Sequence, residues 1–224
     1  RPFDNRSFVR AVPKSCRKIA VLDRTKEPGS GGEPLYKDVV HALSTEYMSG
    51  ALNDLPTVIG GRYGLSSKEF TPGMVKAVLD ELEKPDPKND FTIGIYDDLS
   101  NTSLDWDESF RTDANKNNFQ CVFYGLGSDG TVSANKNSIK IIGDSTGLYA
   151  QGYFVYDSKK AGSQTVSHLR FGPDPIRAPY LVDSANFIAC HKASFITQVE
   201  MLDKAAQHAV FLLNSPTPAD QVWN

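Results

Sequence analysis

The sequence has 224 residues, of which 40% are hydrophobic and 10% aromatic, enough to build one large domain or two of ordinary size. The formal net charge is −3 and no Lys/Arg block occurs, which argues against nucleic-acid binding, because that needs a basic surface. The longest apolar runs, such as residues 209–213, fall far short of the ~18 residues that span a bilayer. Residues 1–6 carry charge and lack the apolar stretch of a signal peptide, so no signal peptide is expected there.

The cysteine pattern indicates a reducing compartment. Cys16, Cys121 and Cys190 are far apart in the sequence, and no C-x-x-C occurs, so neither a zinc ribbon nor an iron–sulfur cluster can form locally. Cys121 and Cys190 lie in apolar stretches, which predicts buried thiols. A cytoplasmic location, or a reducing, anaerobic energy organelle, follows from this usage.

The four histidines show no spacing typical of metal ligands, and structural or solvated roles are expected for all of them. They are His41, His168, His191 and His208.

In the first half of the chain, short β-rich runs alternate with segments of helical periodicity. Strands are predicted at 19–22, 57–59 and 91–96, and a helix at 35–48. A second helix is predicted to begin at Thr71, a side-chain cap followed by Pro at the first helical position. Such alternation predicts an open, mostly parallel sheet. The polar stretch from 97 to 118 marks the expected domain boundary.

The second half predicts another cycle of the same kind. Helices are predicted at 132–142 and 199–206. Strands are predicted at 120–124, 148–156, 165–171, 186–190 and 209–213. The expected fold class is therefore α/β, with two open, mostly parallel or mixed sheets flanked by helices.

The best local motif is Gly-Leu-Gly-Ser-Asp-Gly-Thr at residues 125–131, which fits G-x-G-x-x-G between a predicted strand and a predicted helix. Glycines let the backbone approach a phosphate, and free N–H groups at a helix N-terminus attract its charge. Ser128 and Thr131 could add hydroxyl groups, and Lys136 and Lys140 positive charge. The alternative is a tight strand–helix turn in which Asp129 or Thr131 only caps the helix.

A dinucleotide site would need an acidic residue at the end of the second strand, ~20 residues beyond the glycines. The first acidic residue there is Asp157, and the basic pair at 159–160 adjoins it. A nicotinamide cofactor is thus only a moderate fit, and a phosphorylated cofactor such as coenzyme A is not excluded.

Two further glycine-rich loops, at 27–34 and 60–68, follow predicted strands and should lie at the carboxyl edge of a sheet, where ligands and partner domains bind. Four cationic side chains near them could meet anionic groups or be solvated surface charges. They are Arg24, Lys26, Arg62 and Lys68.

Five blocks of sequence, in order along nearly the whole chain, resemble the pyruvate:ferredoxin (flavodoxin) oxidoreductases. The third block, which contains the glycine loop, is the most specific of them. The blocks are IAVLDRTKEPGSGGEPLY (19–36), GGRYGLSSKEFTP (60–72), YGLGSDGTVSANKNSIKIIG (124–143), HLRFG (168–172) and FLLNSP (211–216).

This resemblance implies an enzyme that oxidatively decarboxylates pyruvate to acetyl-CoA on thiamine diphosphate and magnesium. Electrons would pass through [4Fe-4S] clusters to ferredoxin or flavodoxin, in a polypeptide that is a homodimer at full length. Residues 1–117 resemble a transketolase-C-terminal-like domain, N-terminally incomplete. Residues 118–224 resemble a gamma-type 2-oxoacid oxidoreductase domain, C-terminally incomplete, which in this family contributes to coenzyme A binding.

By the same resemblance, the glycine loop becomes the candidate coenzyme A surface. The candidate residues are Gly127, Ser128, Asp129, Gly130 and Thr131, with Asn135 and Lys136 as weaker candidates. The thiamine and cluster domains of the family are missing from this sequence. We therefore expect the chain to contribute domain packing and part of the coenzyme A surface, with the remaining domains of the same polypeptide as its partners, and to be inactive alone.

Three alternatives remain open at this point. The chain could be an independent nicotinamide-dependent oxidoreductase that uses residues 125–130. It could be a non-catalytic docking module whose glycine loops only contact other domains. It could also come from a relative that acts on another 2-oxo acid.

Overall fold

The structure, a computed structural model, describes residues 2–156 and 163–222. The chain divides into two compact units, one ending at Thr112 and the other beginning at Asp113. The boundary predicted after residue 117 lies a few residues further along, and the assignment of the two halves to family domains stays a prediction.

The first unit contains a parallel four-stranded sheet in the order β1-β2-β3-β4 with three helices. Its elements are α1 (Asn5–Ala11), β1 (Lys18–Asp23), α2 (Pro34–Met48), β2 (Thr57–Arg62), α3 (Pro72–Glu83), β3 (Phe91–Ile93) and β4 (Ser103–Leu104). The helix predicted at 35–48 is confirmed as α2. The strand predicted at 91–96 ends at Ile93, and β4 and α1 were not predicted.

Alternate residues of β1 send their side chains to two separate cores. Val21 packs with Val39 and Leu43 of α2, whereas Leu22 packs on the side of Met74 and Val78 of α3. The two helices therefore cover opposite faces of the sheet.

This placement fixes the hands of the two crossovers. The strands β1, β2 and β3 are parallel and adjacent in that order. Helices on opposite faces then require the connection through α2 and the connection through α3 to be of opposite hand. One of them departs from the right-handed rule for such units.

The second unit contains a five-stranded mixed sheet in the order β6-β7-β5-β8-β9. Its elements are β5 (Phe119–Leu126), α4 (Thr131–Ser145), β6 (Tyr149–Tyr156), β7 (Gln164–Gly172), β8 (Ala185–Cys190) and β9 (Ala205–Leu213). Strand β7 runs opposite to the other four strands of this sheet and pairs antiparallel with β5 on one side and β6 on the other. The α/β class with two sheets, one parallel and one mixed, is thus confirmed.

The mixed sheet is covered differently on its two faces. On one face, Ile139 and Ile142 of α4 pack with Cys121, Leu169 and Phe171. On the other face, strand side chains pack against irregular segments that include two 3₁₀ turns, Ala193–Thr197 and Met201–Lys204. The buried thiols predicted for two cysteines are confirmed, since Cys121 and Cys190 are both buried.

The helix predicted at 199–206 is wrong. Residues Met201–Lys204 form a 3₁₀ turn, and β9 begins at Ala205, which pairs with Ala185 of β8. Pairing with β8 outweighs the local helical periodicity, a case of tertiary structure overriding propensity.

Within the described residues, no helix is both long enough and apolar enough to cross a membrane.

Candidate functional site

The glycine loop lies where the sequence predicts it, between the end of β5 at Leu126 and the start of α4 at Thr131. Gly130 is the N-cap of α4, with φ of 84° in the left-handed region that favours glycine. A Cβ added at Gly125 would overlap Thr131 Oγ1, so this glycine lets the helix start pack directly on the strand.

The Asp129 side chain holds the loop from inside. Its Oδ2 accepts a 2.8 Å hydrogen bond from the N–H of Leu126, and its Oδ1 accepts a 2.8 Å bond from the N–H of Thr131. Burial opposes ionisation, but a side-chain hydrogen bond from Thr131, the two backbone hydrogen bonds and the nearby His191 together keep the pKa of Asp129 below its usual value. The capping role that the sequence offered as an alternative for Asp129 is therefore real.

Two backbone donors of the loop are also engaged by protein acceptors. The Gly127 N–H donates to the Ser163 carbonyl at 3.0 Å, and the Asp129 N–H donates to the Leu126 carbonyl at 3.4 Å. The N–H groups of Ser128 and Gly130 have no protein acceptor within the part of the chain that the structure describes. These two amides lie beside the N-terminus of a 15-residue helix, where the first-turn amides of Val132 and Ser133 also have no acceptor among the described residues, and together these donors face outward for an external anion.

His191 belongs to this site, although the sequence favoured only a structural or solvated role for it. Its Nδ1 lies 2.7 Å from Thr131 Oγ1, and its ring meets the Phe123 ring edge-on. One signal could have found it: His191 directly follows β8, which pairs in parallel with β5, so both strands end at the same edge of the sheet.

The two weaker candidates point away from the loop. Asn135 is 3% exposed and faces the sheet beneath α4. Lys136 is exposed, and its Nζ lies 5.4 Å from the centroid of the Phe154 ring. Asp157 and the basic pair at 159–160 lie outside the described residues, so the ribose position of a dinucleotide site has no structural description.

In and beside the glycine-rich loops of the first unit, charged side chains bond to other groups of the protein. Asp23, at the end of β1, accepts hydrogen bonds from the N–H groups of Leu35 (2.9 Å) and Tyr36 (3.0 Å) at the start of α2. Arg62 pairs with Glu33 at 3.2 Å and lies 3.7 Å from Asp97.

Arg24 Nε also donates within the protein, to the Gly64 carbonyl at 3.0 Å. Of the four cationic side chains that the sequence offers as anion ligands, Arg24 and Arg62 are therefore engaged within the protein.

No group of three or more His, Cys, Asp or Glu side chains among the described residues could hold a metal ion. Burial raises the pKa of the Cys121 thiol to about 12 and raises that of Cys190 as well, so neither is a reactive thiolate near neutral pH. The glycine loop of the second unit is therefore the candidate site that the geometry supports best.

Comparison with known proteins decides the family. The family model for pyruvate ferredoxin/flavodoxin oxidoreductase matches residues 120–222. A pyruvate-flavodoxin oxidoreductase of Trichormus variabilis is 61% identical over 223 residues, covering 100% of this chain and 18% of the relative. The chain belongs to the pyruvate ferredoxin/flavodoxin oxidoreductase family. This confirms the family expected from the sequence blocks.

Another member of the pyruvate ferredoxin/flavodoxin oxidoreductase family shows the same extent of match. The pyruvate:ferredoxin oxidoreductase of Moorella thermoacetica is 55% identical over 222 residues, covering 99% of this chain and 18% of the relative. The chain thus spans less than a fifth of the length of these curated relatives. Among solved structures, the pyruvate oxidoreductase subunit PORC of Thermotoga maritima matches 47% of this chain and 55% of its own, with 14% identity and a TM-score of 0.40.

Proposed function

We propose that this chain is part of an enzyme that oxidatively decarboxylates pyruvate to acetyl-CoA and reduces ferredoxin or flavodoxin. The observation that carries the proposal is the 60% identity over the whole chain to a relative named as a pyruvate-flavodoxin oxidoreductase. Residues 1–117 would be its transketolase-C-terminal-like domain and residues 118–224 the front of its gamma-type domain. The other domains of the same polypeptide, and a second copy of it, would be the partners, in the cytoplasm or a reducing organelle.

The contribution we propose for the second unit is a contact with a phosphate of coenzyme A. The N–H groups of Ser128 and Gly130 would donate to the phosphate, and the Ser128 hydroxyl could add a third bond. The fit is partial, because the Asp129 carboxylate already takes the neighbouring donors and is itself negative. Asp129 would therefore shape the loop, while Ser128 and Gly130 bind.

The other cofactors implied by the family do not fit this chain. The described residues offer no cluster of metal ligands for magnesium or for [4Fe-4S] clusters. We propose that thiamine diphosphate, magnesium and the clusters are bound elsewhere in the full polypeptide. In the whole enzyme coenzyme A accepts the acetyl group, and the role of this unit is to hold it.

The test uses the full-length enzyme and two substitutions at Gly130, where an added Cβ would meet nothing within 4 Å. Only backbone strain then separates the variants: Gly130→Val opposes the left-handed conformation, whereas Gly130→Asn tolerates it. We expect Gly130→Val to raise the KM for coenzyme A by about tenfold, the cost of a charge-assisted hydrogen bond, and Gly130→Asn to change it little. The KM for pyruvate should stay constant in both variants. An unchanged KM for coenzyme A in Gly130→Val would contradict the assignment.

Two measurements on the 224-residue chain separate the alternatives. The chain alone should not reduce ferredoxin or a viologen dye when given pyruvate and coenzyme A. Calorimetric titration should show binding of coenzyme A rather than NAD(H) or NADP(H). Tight nicotinamide binding would favour an independent dehydrogenase, and no nucleotide binding at all would favour a docking module.

A further inference from the structure

Three buried polar atoms between α4 and the sheet have no hydrogen-bond partner in the part of the chain that the structure describes. They are Asn135 Nδ2, Thr165 Oγ1 and Ser167 Oγ. The three residues are 3%, 1% and 0% exposed, so water at the protein surface does not reach them. Buried polar groups in folded proteins are almost always satisfied, and each one left unpaired costs about 1–3 kcal/mol.

The two hydroxyl groups face α4 from the middle strand of the trio β6-β7-β5. Thr165, Ser167 and Leu169 are spaced two residues apart and therefore lie on the same face of β7. Leu169 packs in the core cluster that contains Ile139 of α4. Both hydroxyls therefore lie on the face of β7 that α4 covers.

The path of α4 across the sheet brings Asn135 to the same place. Thr131 packs on Gly125 of β5, where an added Cβ would overlap its Oγ1, and Ile139 packs on Gly152 of β6, where an added Cβ would overlap its Cδ1. Asn135 is midway between Thr131 and Ile139, and all three are on one helix face because they are spaced four residues apart.

The strand register shows what lies below that midpoint. Gly125 is level with Thr165 on β7, and Gly152 is level with Leu169. The straight line between the two glycines crosses β7 at Ser167. The contact between Lys136 and Phe154 agrees, since Phe154 is the register partner of Ser167.

We propose that Asn135, Thr165 and Ser167 form a binding site for one internal water molecule that links α4 to β7. A water accepts from the Asn135 Nδ2–H and donates to the two hydroxyl oxygens, which gives it the three hydrogen bonds typical of buried waters. The site is distinct from the glycine loop and does not depend on the proposed function. It assigns Asn135 to fixing the position of the helix rather than to contacting coenzyme A.

The direct test is the electron density of the full-length polypeptide at a resolution that shows ordered waters. We expect a peak within hydrogen-bond distance of Asn135 Nδ2 and at least one of the two hydroxyl oxygens. Density in which the Asn135 side chain bonds directly to Ser167 or Thr165, with no water between them, would overturn the proposal.

A double-mutant cycle provides an independent test. Asn135→Leu and Ser167→Ala should each speed hydrogen exchange of β7 amides, because each leaves the water and the remaining groups under-bonded. The triple variant, which adds Thr165→Val to both substitutions, should recover part of the protection of the β7 amides against exchange. In that variant none of the three polar groups is left unpaired. Ser133→Ala, at an exposed position of α4, is the control and should add independently to Asn135→Leu. Purely additive effects of Asn135→Leu and Ser167→Ala would also overturn the proposal.

Discussion

Thr131 Oγ1 and His191 Nδ1 share a hydrogen bond of 2.7 Å, which ties the first residue of α4 to the residue that follows β8. Two segments that are 60 positions apart in sequence thus meet at the candidate anion-binding loop. The bond is made by a threonine that is only 3% exposed, so its loss is not compensated by water.

Two substitutions of Thr131 separate the effect of its hydroxyl group on stability from the effect of its side-chain shape. We expect Thr131→Val to lower the free energy of unfolding by about 1 kcal/mol or more, because the His191 nitrogen loses a partner in a half-buried place. Thr131→Ser keeps the hydroxyl and should lose much less. Chemical denaturation of the two variants checks the difference, and equal losses would show that the methyl group rather than the hydrogen bond matters.

The pKa of Asp129 gives a pH dependence with a definite sign. Its folded-state pKa lies below its ordinary value, so the carboxylate stabilises the fold above the unfolded-state pKa. That contribution is lost as the pH falls through the lowered folded-state pKa. We expect Asp129→Asn to be less stable than the wild type at neutral pH and the gap to shrink as the pH falls below the ordinary Asp pKa of about 4. Urea denaturation across this range measures the gap, and a constant difference would exclude a role for the charge.

Asp23 should stabilise α2 although it precedes the helix by a whole loop. Its two carboxylate oxygens accept from the N–H groups of Leu35 and Tyr36, and Glu33, at the N-cap position, makes no side-chain cap. Asp23→Ala should therefore cost about 1–2 kcal/mol, as the loss of a helix cap does. Asp54→Ala, at an exposed position, is the matched control and should have little effect in the same thermal melt.

Two glycines should respond to alanine in opposite directions. A Cβ at Gly61 would overlap the ring of Phe91, its partner on β3, so Gly61→Ala should destabilise the first unit by about 1–3 kcal/mol. Gly143 is exposed within α4, and a Cβ there would meet nothing within 4 Å.

Gly143→Ala should then stabilise the second unit by up to about 1 kcal/mol, because alanine is the better helix former. Thermal unfolding of both variants tests the pair. A loss of stability in Gly143→Ala would show that α4 is strained near its end.

The sequence predicts most of the regular elements because their signals are local. Thr71 followed by Pro72 identifies the start of α3, and the structure shows the Thr71 side chain accepting from Met74 N–H at 3.3 Å. The glycine loop between β5 and α4 is predictable for the same reason. The helix predicted at 199–206 is wrong because residues 205–213 pair with β8, a contact that periodicity within the segment does not reveal.

The internal contacts of the candidate site could not be predicted in the same way. The motif makes Asp129 a candidate contact for a ligand, yet its carboxylate accepts hydrogen bonds from the N–H groups of Leu126 and Thr131. His191 reaches the loop only because β8 is paired beside β5. Both facts depend on strand order and on side-chain direction, which a motif does not contain.

The place of β7 between β5 and β6 has a consequence for the order of folding. Within the described residues, strand β6 pairs only with β7. The two strands that α4 connects, β5 and β6, therefore do not pair with each other. Helix α4 contacts β5, β6 and β7, so we expect it to take its final place only after β7, which follows it in the chain, has inserted between the other two strands. In a nascent chain that ends before Gly172, the glycine loop should therefore adopt many conformations. The loop conformation proposed to bind an anion would form late in folding, because it depends on contacts between residues distant in sequence.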